Sequence, residues 1–321
     1  MKKVLITGIT GQDGIFITKE VLNNFPNSQI LGVTRNINNV LFFKKLNSLK
    51  VQETKNINLI NLNLLDFNET FKTIEHFKPD TVINFSGPSS VYDSFNPDTK
   101  IHETIEIIFN NLTDALIATK NLAKFFQASS SEMFGNNNLE NLNELSNFAP
   151  NSPYAHAKLK NHNKVLLLNE KYDWRIFSGI MFNHESQFRD EKYLVMKIIK
   201  GAEKIKSNNL DFIEIGSLAY IRDWSYASDI TKAVFRILQN GSSPVYNIGS
   251  GKGTSIEEVV NLVFNYFNLE YKNYIKVNSD LLRKGDPSRI VCDPKKISNE
   301  LNWTASISIS ENIKRCIEMK F

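Results

Sequence analysis

Val4-Leu-Ile-Thr-Gly-Ile-Thr-Gly-Gln-Asp-Gly14 decides how the chain is read. A short β-branched run ending at Thr7 gives way at Gly8 to a turn with glycines at 8, 11 and 14. An amphipathic stretch from Asp13 to about Asn24 then reads as a helix. Glycines at this spacing let the backbone approach a ligand closely. The helix N-terminus offers free N–H groups and the positive end of its dipole to a pyrophosphate. An ordinary glycine turn is the competing explanation. The place of this turn, directly behind an N-terminal strand in a chain with strand–helix rhythm, favours a dinucleotide site.

Outward from that turn, Lys3 to Thr7, Gln29 to Thr34, Asn58 to Leu64, Thr81 to Phe85 and Phe125 to Ser129 are expected strands. Asn68 to Phe77 and Ile101 to Lys120 are expected helices. Such alternation predicts an α/β fold, a doubly wound parallel sheet covered by helices on both faces. Pro153 suits the first turn of a helix running from about Tyr154 to Lys171, and a strand Trp174 to Met181 follows. Beyond it the pattern is less regular, and a second, smaller, loop-built region closing over the sheet is expected. Residues 1–181 are therefore read as a cofactor-binding domain, completed by elements near 223–250, and residues 182–321 as a smaller C-terminal α/β substrate-binding domain.

Composition narrows the function. The chain has 321 residues, and its 38 Lys+Arg against 34 Asp+Glu give a net charge of only +4, spread along the sequence. That balance predicts no nucleic-acid partner but accommodates local cationic sites facing an anionic small molecule. Cys292 and Cys316 form neither a CxxC pair nor a metal-ligand pattern, so free thiols in a reducing compartment and no metal are expected. Lys2 and Lys3 precede too short an apolar run for a signal peptide, and no stretch is long enough to span a membrane, so the expected location is the cytoplasm.

Three further positions bear on chemistry. Arg35 stands at the end of the second expected strand, where an acidic residue would serve an NAD ribose, and a cation there favours NADP over NAD. Ser129-Ser-Ser-Glu132 ends the fifth strand, and Tyr154-Ala-His-Ala-Lys158 places a tyrosine and a lysine one helical turn apart on one face. An ammonium so placed is expected to lower the phenol's pKa and prepare a general base, with His156 facing elsewhere. A second glycine-rich turn, Tyr246 to Gly253, lacks the Gly-Lys-Ser/Thr ending of a P-loop and is read as structural.

With these motifs the chain resembles an extended short-chain dehydrogenase/reductase and, within it, the GDP-mannose 4,6-dehydratase family. The likeness rests on Gly8 to Gly14, Tyr154/Lys158, Gln127-Ala-Ser-Ser-Ser-Glu132, Phe182-Asn-His-Glu-Ser186, Arg222-Asp-Trp224 and Asp293 to Trp303. It implies a Rossmann-type sheet and a lyase that oxidises the sugar at C4, eliminates water across C5 and C6, and returns the hydride to C6. Ser130, Glu132, Tyr154 and Lys158 would be catalytic. The cofactor would be held by Gly8, Thr10, Gly11, Gln12, Asp13, Gly14, Arg35, Asn63, Leu64, Phe85, Ser86, Gly87, Lys158, His184 and Arg189. Ser89, Asn183, Lys197, Arg222 and Arg283 would bind a GDP-hexose. A homo-oligomer, dimer or tetramer, is implied as well. The sequence departs from the family at Ser130, usually Thr, at Asn63, usually Asp, and at Asn36, Pro88, Ser90 and Lys100. A nucleotide-sugar 4-epimerase or reductase, or a dehydratase for another nucleotide hexose, is the alternative, and Glu132 is the residue that separates elimination from epimerisation.

Overall fold

Strand β1 (Lys3–Thr7) turns Val4 and Ile6 to one side and Leu5 to the other, and all three are buried. Burial on both faces is what the centre of a parallel sheet demands. The computed structural model describes residues 1–52, 54–283 and 285–319. After β1 come α1 (Gln12–Asn24), β2 (Gln29–Val33), α2 (Val40–Ser48), β3 (Ile57–Ile60), α3 (Phe67–Phe77), β4 (Thr81–Asn84), α4 (Ile101–Ala118), β5 (Lys124–Ser130), α5 (Pro153–Tyr172) and β6 (Ile176–Met181). The chain continues through β7 (His184–Glu185), α6 (Leu194–Lys206), β8 (Ile213–Ile215), β9 (Ile221–Asp223), β10 (Ser225–Tyr226), α7 (Ala227–Asn240) and β11 (Val245–Ile248). It ends with β12 (Gly253–Ser255), α8 (Ile256–Tyr266), β13 (Ile275–Val277), β14 (Arg289–Ile290), α9 (Lys295–Leu301) and α10 (Ile309–Glu318).

Seven strands form one parallel sheet in the order β11-β6-β5-β4-β1-β2-β3. On one face Val4 and Ile6 join Ile15 and Val21 of α1 with Ile230, Val234 and Ile237 of α7. On the other, Leu5 joins Phe109 and Leu112 of α4 with Val165 and Leu168 of α5. Strand order reverses between β1 and β4, and the crevice at their C-terminal ends is where such sheets bind ligands.

Element ends differ from the expected ones for local reasons. β3 stops at Ile60 rather than Leu64 because the Asn63 side chain closes a turn by accepting from the Leu65 amide. β6 starts two residues late because Trp174 donates its indole N–H to the Ala123 carbonyl. Helix α2 lies where only a connecting stretch was expected; Asn39 caps it by accepting from Phe42, and Phe42 and Leu46, one turn apart, bury its inner face. The C-terminal region is also less loop-built than expected. α6, α8 and α10 enclose a third core of Ile198, Ile199, Val259, Val263 and Ile313, with three-residue strands at its edge.

The second glycine-rich turn has a structural task, as its sequence suggested. Buried Asp223 accepts hydrogen bonds from the amides of Ser250 (2.9 Å), Gly251 (2.8 Å) and Cys292 (3.2 Å) and from the Ser250 hydroxyl (2.6 Å). Amides committed to a carboxylate are not available to a phosphate. Burial raises the Asp223 pKa, and these four donors oppose that rise. Both cysteines are buried free thiols. Among the described residues no helix is long and apolar enough to cross a membrane, and no cluster of metal-ligating side chains occurs.

Asp223→Ala orphans the three amides in the interior and is expected to cost about 3 kcal/mol of stability. Urea unfolding measures this, and an unshifted midpoint would refute the assigned role.

Candidate active site

A buried ladder of polar side chains stiffens the sheet's C-terminal edge. Thr7 Oγ1 donates to Asn84 Oδ1 (2.6 Å), Asn84 Nδ2 to Gln127 Oε1 (2.8 Å), and Gln127 Nε2 to the Ala128 carbonyl (3.0 Å). Under β5, the Ser129 hydroxyl meets Ser178 (2.7 Å), which meets His162 Nδ1 (2.8 Å). Burial pushes the His162 pKa down to about 4, so this ring is neutral. From this base β5 delivers Ser130 to the crevice, and Ser130 caps the short turn carrying Glu132 by accepting from the Glu132 amide.

Opposite stands α5. Ser152 caps it by accepting from Ala155 (3.1 Å), and Pro153 occupies its first turn. Tyr154 and Lys158 share its buried face, while His156 is exposed. The expectation that Lys158 lowers the tyrosine's pKa is not met. Burial, the dominant influence, pushes Tyr154 up to about 12 against the hydrogen bond from Ser130, and the same burial pushes Lys158 down to about 8. The lysine ammonium donates to the Ala128 carbonyl (2.8 Å) and lies 5.6 Å from the Tyr154 ring centre, too far to outweigh the lost hydration of a phenolate.

The first turn is joined to the segment behind β6. Gln12 Oε1 accepts from Ser186 Oγ (2.9 Å) and Gln12 Nε2 donates to the His184 carbonyl (3.2 Å). His184 Nε2 pairs with the Asp13 carboxylate at 3.0 Å, and its Nδ1 faces the Phe182 carbonyl at 2.7 Å. Burial alone would lower the His184 pKa, but the Asp13 carboxylate and these hydrogen bonds raise it above the ordinary 6.5.

Ser130, Glu132, Tyr154 and Lys158 line one cleft of about 570 Å³ with Asp13, Phe85, Gly87, Ser89, Asn183, His184, Arg189, Lys197, Arg222 and Arg283. At one wall the Arg189 guanidinium lies 3.6 Å over the Tyr193 ring, whose hydroxyl meets Ser89 Oγ at 2.6 Å. At the other, Arg222 and Arg283 both bind Asp286 Oδ1, and Arg283 Nη2 comes within 3.6 Å of Glu132 Oε1. Lys197 donates to the Glu214 carbonyl (2.9 Å). Gly8, Thr10, Gly11, Gln12, Gly14, Arg35, Asn63, Leu64 and Ser86 are not part of this cleft's lining. Of these, Gln12, Gly14 and Leu64 are buried, whereas Gly11, Asn63 and, just after β2, Arg35 are exposed. Tyr193 and Asp286 went unnoticed in the sequence because no motif frames them, and the structural task of Gln12 because its partners are more than 170 positions away.

A family model described as GDP-mannose 4,6 dehydratase matches residues 5–316. The chain is 28% identical over 326 residues to GDP-mannose 4,6 dehydratase 2 of Arabidopsis thaliana, an alignment that covers 99% of this chain and 86% of that protein. Among solved structures, a dTDP-glucose 4,6-dehydratase from Streptomyces venezuelae with NAD and TYD bound is similar at a TM-score of 0.86 and 18% identity, covering 99% of this chain and 96% of that one. RMD from Pseudomonas aeruginosa complexed with NADPH is similar at a TM-score of 0.80 and 20% identity, with 99% and 98% covered. At these identities the structural likeness establishes the fold.

The Asp13–His184 pair makes stability depend on pH with a definite sign. A histidine whose folded pKa is raised contributes stability fully below the unfolded value near 6.5 and loses it as pH rises through the folded value. Melting temperatures of wild type and Asp13→Asn should therefore differ most near pH 5.5 and converge above His184's raised titration; a gap independent of pH would refute the pairing.

Proposed function

The chain belongs to the GDP-mannose 4,6-dehydratase family, and from that premise we propose that it removes water from GDP-mannose or a close GDP-hexose, giving the 4-keto-6-deoxy sugar with a bound NADP recycled. The observation that carries this reading is Glu132, a carboxylate placed in the same cleft as Ser130 and Tyr154. A hydroxyl and a phenol suffice to move a proton at C4, whereas elimination also needs a base for C5.

The first turn fits a dinucleotide. Gly8 holds φ +68°, and a Cβ on Gly14 would lie 2.4 Å from the Ile9 carbonyl oxygen, so only glycine permits this packing. Gly11 precedes α1 with no side-chain cap, which leaves the helix's first N–H groups for a pyrophosphate. The backbone from Gly8 through Thr10 and Gly11 to Gly14, with Phe85, Ser86 and Gly87 across the switch point, would form the cradle. Asn63 and Leu64 would flank the adenine, and Lys158, His184 and Arg189 the nicotinamide half. Gln12 and Asp13 would act mainly through their hold on residues 184–186. The solved neighbours carry NAD in one case and NADPH in the other; exposed Arg35, free to meet a 2′-phosphate, supports NADP here. On this reading residues 1–181 with 223–250 serve the cofactor, and the rest of 182–321 serves the sugar nucleotide.

An oxidised nicotinamide held by these residues would supply positive charge and a reversible acceptor for the hydride that leaves C4 and is restored at C6. Tyr154 takes the C4 hydroxyl proton, and Ser130 orients that hydroxyl. Burial makes the phenolate costly in the free protein, so Tyr154 becomes a base only once cationic charge stands beside it. Lys158, held by the Ala128 carbonyl, orients the ribose. The 4-ketone acidifies C5, and Glu132 takes the C5 proton and passes it to the C6 hydroxyl, which leaves as water and returns Glu132 to its carboxylate form. Asn183, Ser89, Lys197, Arg222 and Arg283 hold the sugar and its diphosphate, the guanidiniums by charge-assisted hydrogen bonds.

Mass spectrometry of GDP-mannose incubated with the protein and catalytic NADP, without reductant, should show loss of one water, and an unchanged mass would overturn the proposal. Tyr154→Phe and Glu132→Gln should each lower product formation by about a thousandfold. Glu132→Gln should still develop slow reduced-cofactor absorbance, which Tyr154→Phe should lack; equal silence in both variants would contradict the roles given.

A further inference from the structure

Asp286 takes no part in the chemistry above, yet it sits among the charges that do. Its Oδ1 accepts from Arg222 Nη2 at 2.9 Å and also binds Arg283 Nη2, the nitrogen that lies 3.6 Å from Glu132 Oε1. The four side chains are between 7% and 19% exposed. Two guanidiniums and two carboxylates leave the cluster neutral, which is how charges this far from water are tolerated. A charge-assisted hydrogen bond from a guanidinium to a carboxylate spans about 2.7–2.9 Å. Arg283 meets Asp286 at hydrogen-bonding range and stops short of Glu132, so the Asp286 oxygen shared by both arginines holds Arg283 back.

The geometry points to Asp286 as a positioning residue that aims Arg222 and Arg283 at the substrate's diphosphate and keeps Arg283 from closing onto Glu132. This inference rests on the roles proposed for those three residues. Without the Asp286 charge the cluster carries one excess positive charge, and Glu132 is the carboxylate within reach of the released guanidinium. A carboxylate gripped by a bidentate arginine has its lone pairs engaged and cannot take a proton from carbon. A diphosphate entering between the arginines would compete with Glu132 for Arg283, so the aspartate leaves the base free and the phosphate site formed at once.

The test uses Asp286→Asn, with Asp286→Ser should the asparagine variant fail to fold, Asp286→Glu, and Asp286→Asn combined with Arg283→Met. Calorimetric titration with GDP, water loss from GDP-mannose and reduced-cofactor absorbance are the readouts. Asp286→Asn should weaken GDP binding by about tenfold and slow water loss by about a hundredfold, while reduced cofactor still accumulates. Asp286→Glu should recover most of both. Adding Arg283→Met should restore much of the water-loss rate and leave GDP binding weak. A purely structural aspartate would depress both half-reactions together, and removing Arg283 would give no relief. Wild-type GDP affinity and turnover in Asp286→Asn, or a double variant as slow as the single one, would overturn the inference. If the wild type binds GDP yet leaves GDP-mannose intact, the dehydratase reading fails by itself, and the GDP titrations still decide whether Asp286 aims the arginines.

Discussion

The crevice exists because the first turn grips the segment behind β6. Gln12 and Asp13 lie at the start of α1, and His184 and Ser186 where the chain leaves the sheet. The three contacts between them set the width of the space in which a cofactor and a sugar could meet. They also anchor the strands beyond His184. β7, which begins at that residue, pairs with β10, and β10 directly follows β9, the strand that carries Arg222 into the same cleft. A dinucleotide turn and an arginine cluster far apart in sequence thus share one mechanical reference.

Below that joint the site is uncharged and stiff, and above it the site is charged. Neutral His162, the two serines and the amide ladder satisfy one another inside the sheet. The ionisable groups gather on the cleft side, where burial acts on them in opposite senses. It raises the phenol of Tyr154, which stays neutral, and lowers the hold of Lys158 on its proton, so burial shifts each toward its neutral form while Lys158 remains the ammonium that donates to Ala128. The free site is biased against the charges that the proposed reaction needs, and a bound ionic ligand would reverse that bias.

Much of the fold was legible because its signals are local. The β1 run, the glycine spacing and the Pro153 helix with Tyr154 and Lys158 on one face are all read within a few residues of themselves. Helix α2 was missed because its apolar positions also suit a loop resting on the sheet, and the helices around Ile198 and Val263 because the short strands and asparagine-rich turns between them break the rhythm. The state of Tyr154 was misread for another reason. Spacing shows which charge is near, but the cost of losing water depends on everything packed around the group. The Gln12 contacts and the sharing of Asp286 are properties of chain closure, and no window of sequence holds both partners.

The Thr7–Asn84–Gln127 ladder also has a polarity. Each amide passes on a donor and receives one, so Asn84 and Gln127 fit in only one of their two orientations, and turning either would set donor against donor and acceptor against acceptor. The last member donates to the Ala128 carbonyl, the oxygen on which Lys158 also rests. The aim of that lysine is therefore written partly at residue 7, two strands away. The sheet's edge behaves as a one-way relay, in which the hydroxyl of a threonine helps decide the electron density presented to an ammonium across the fold.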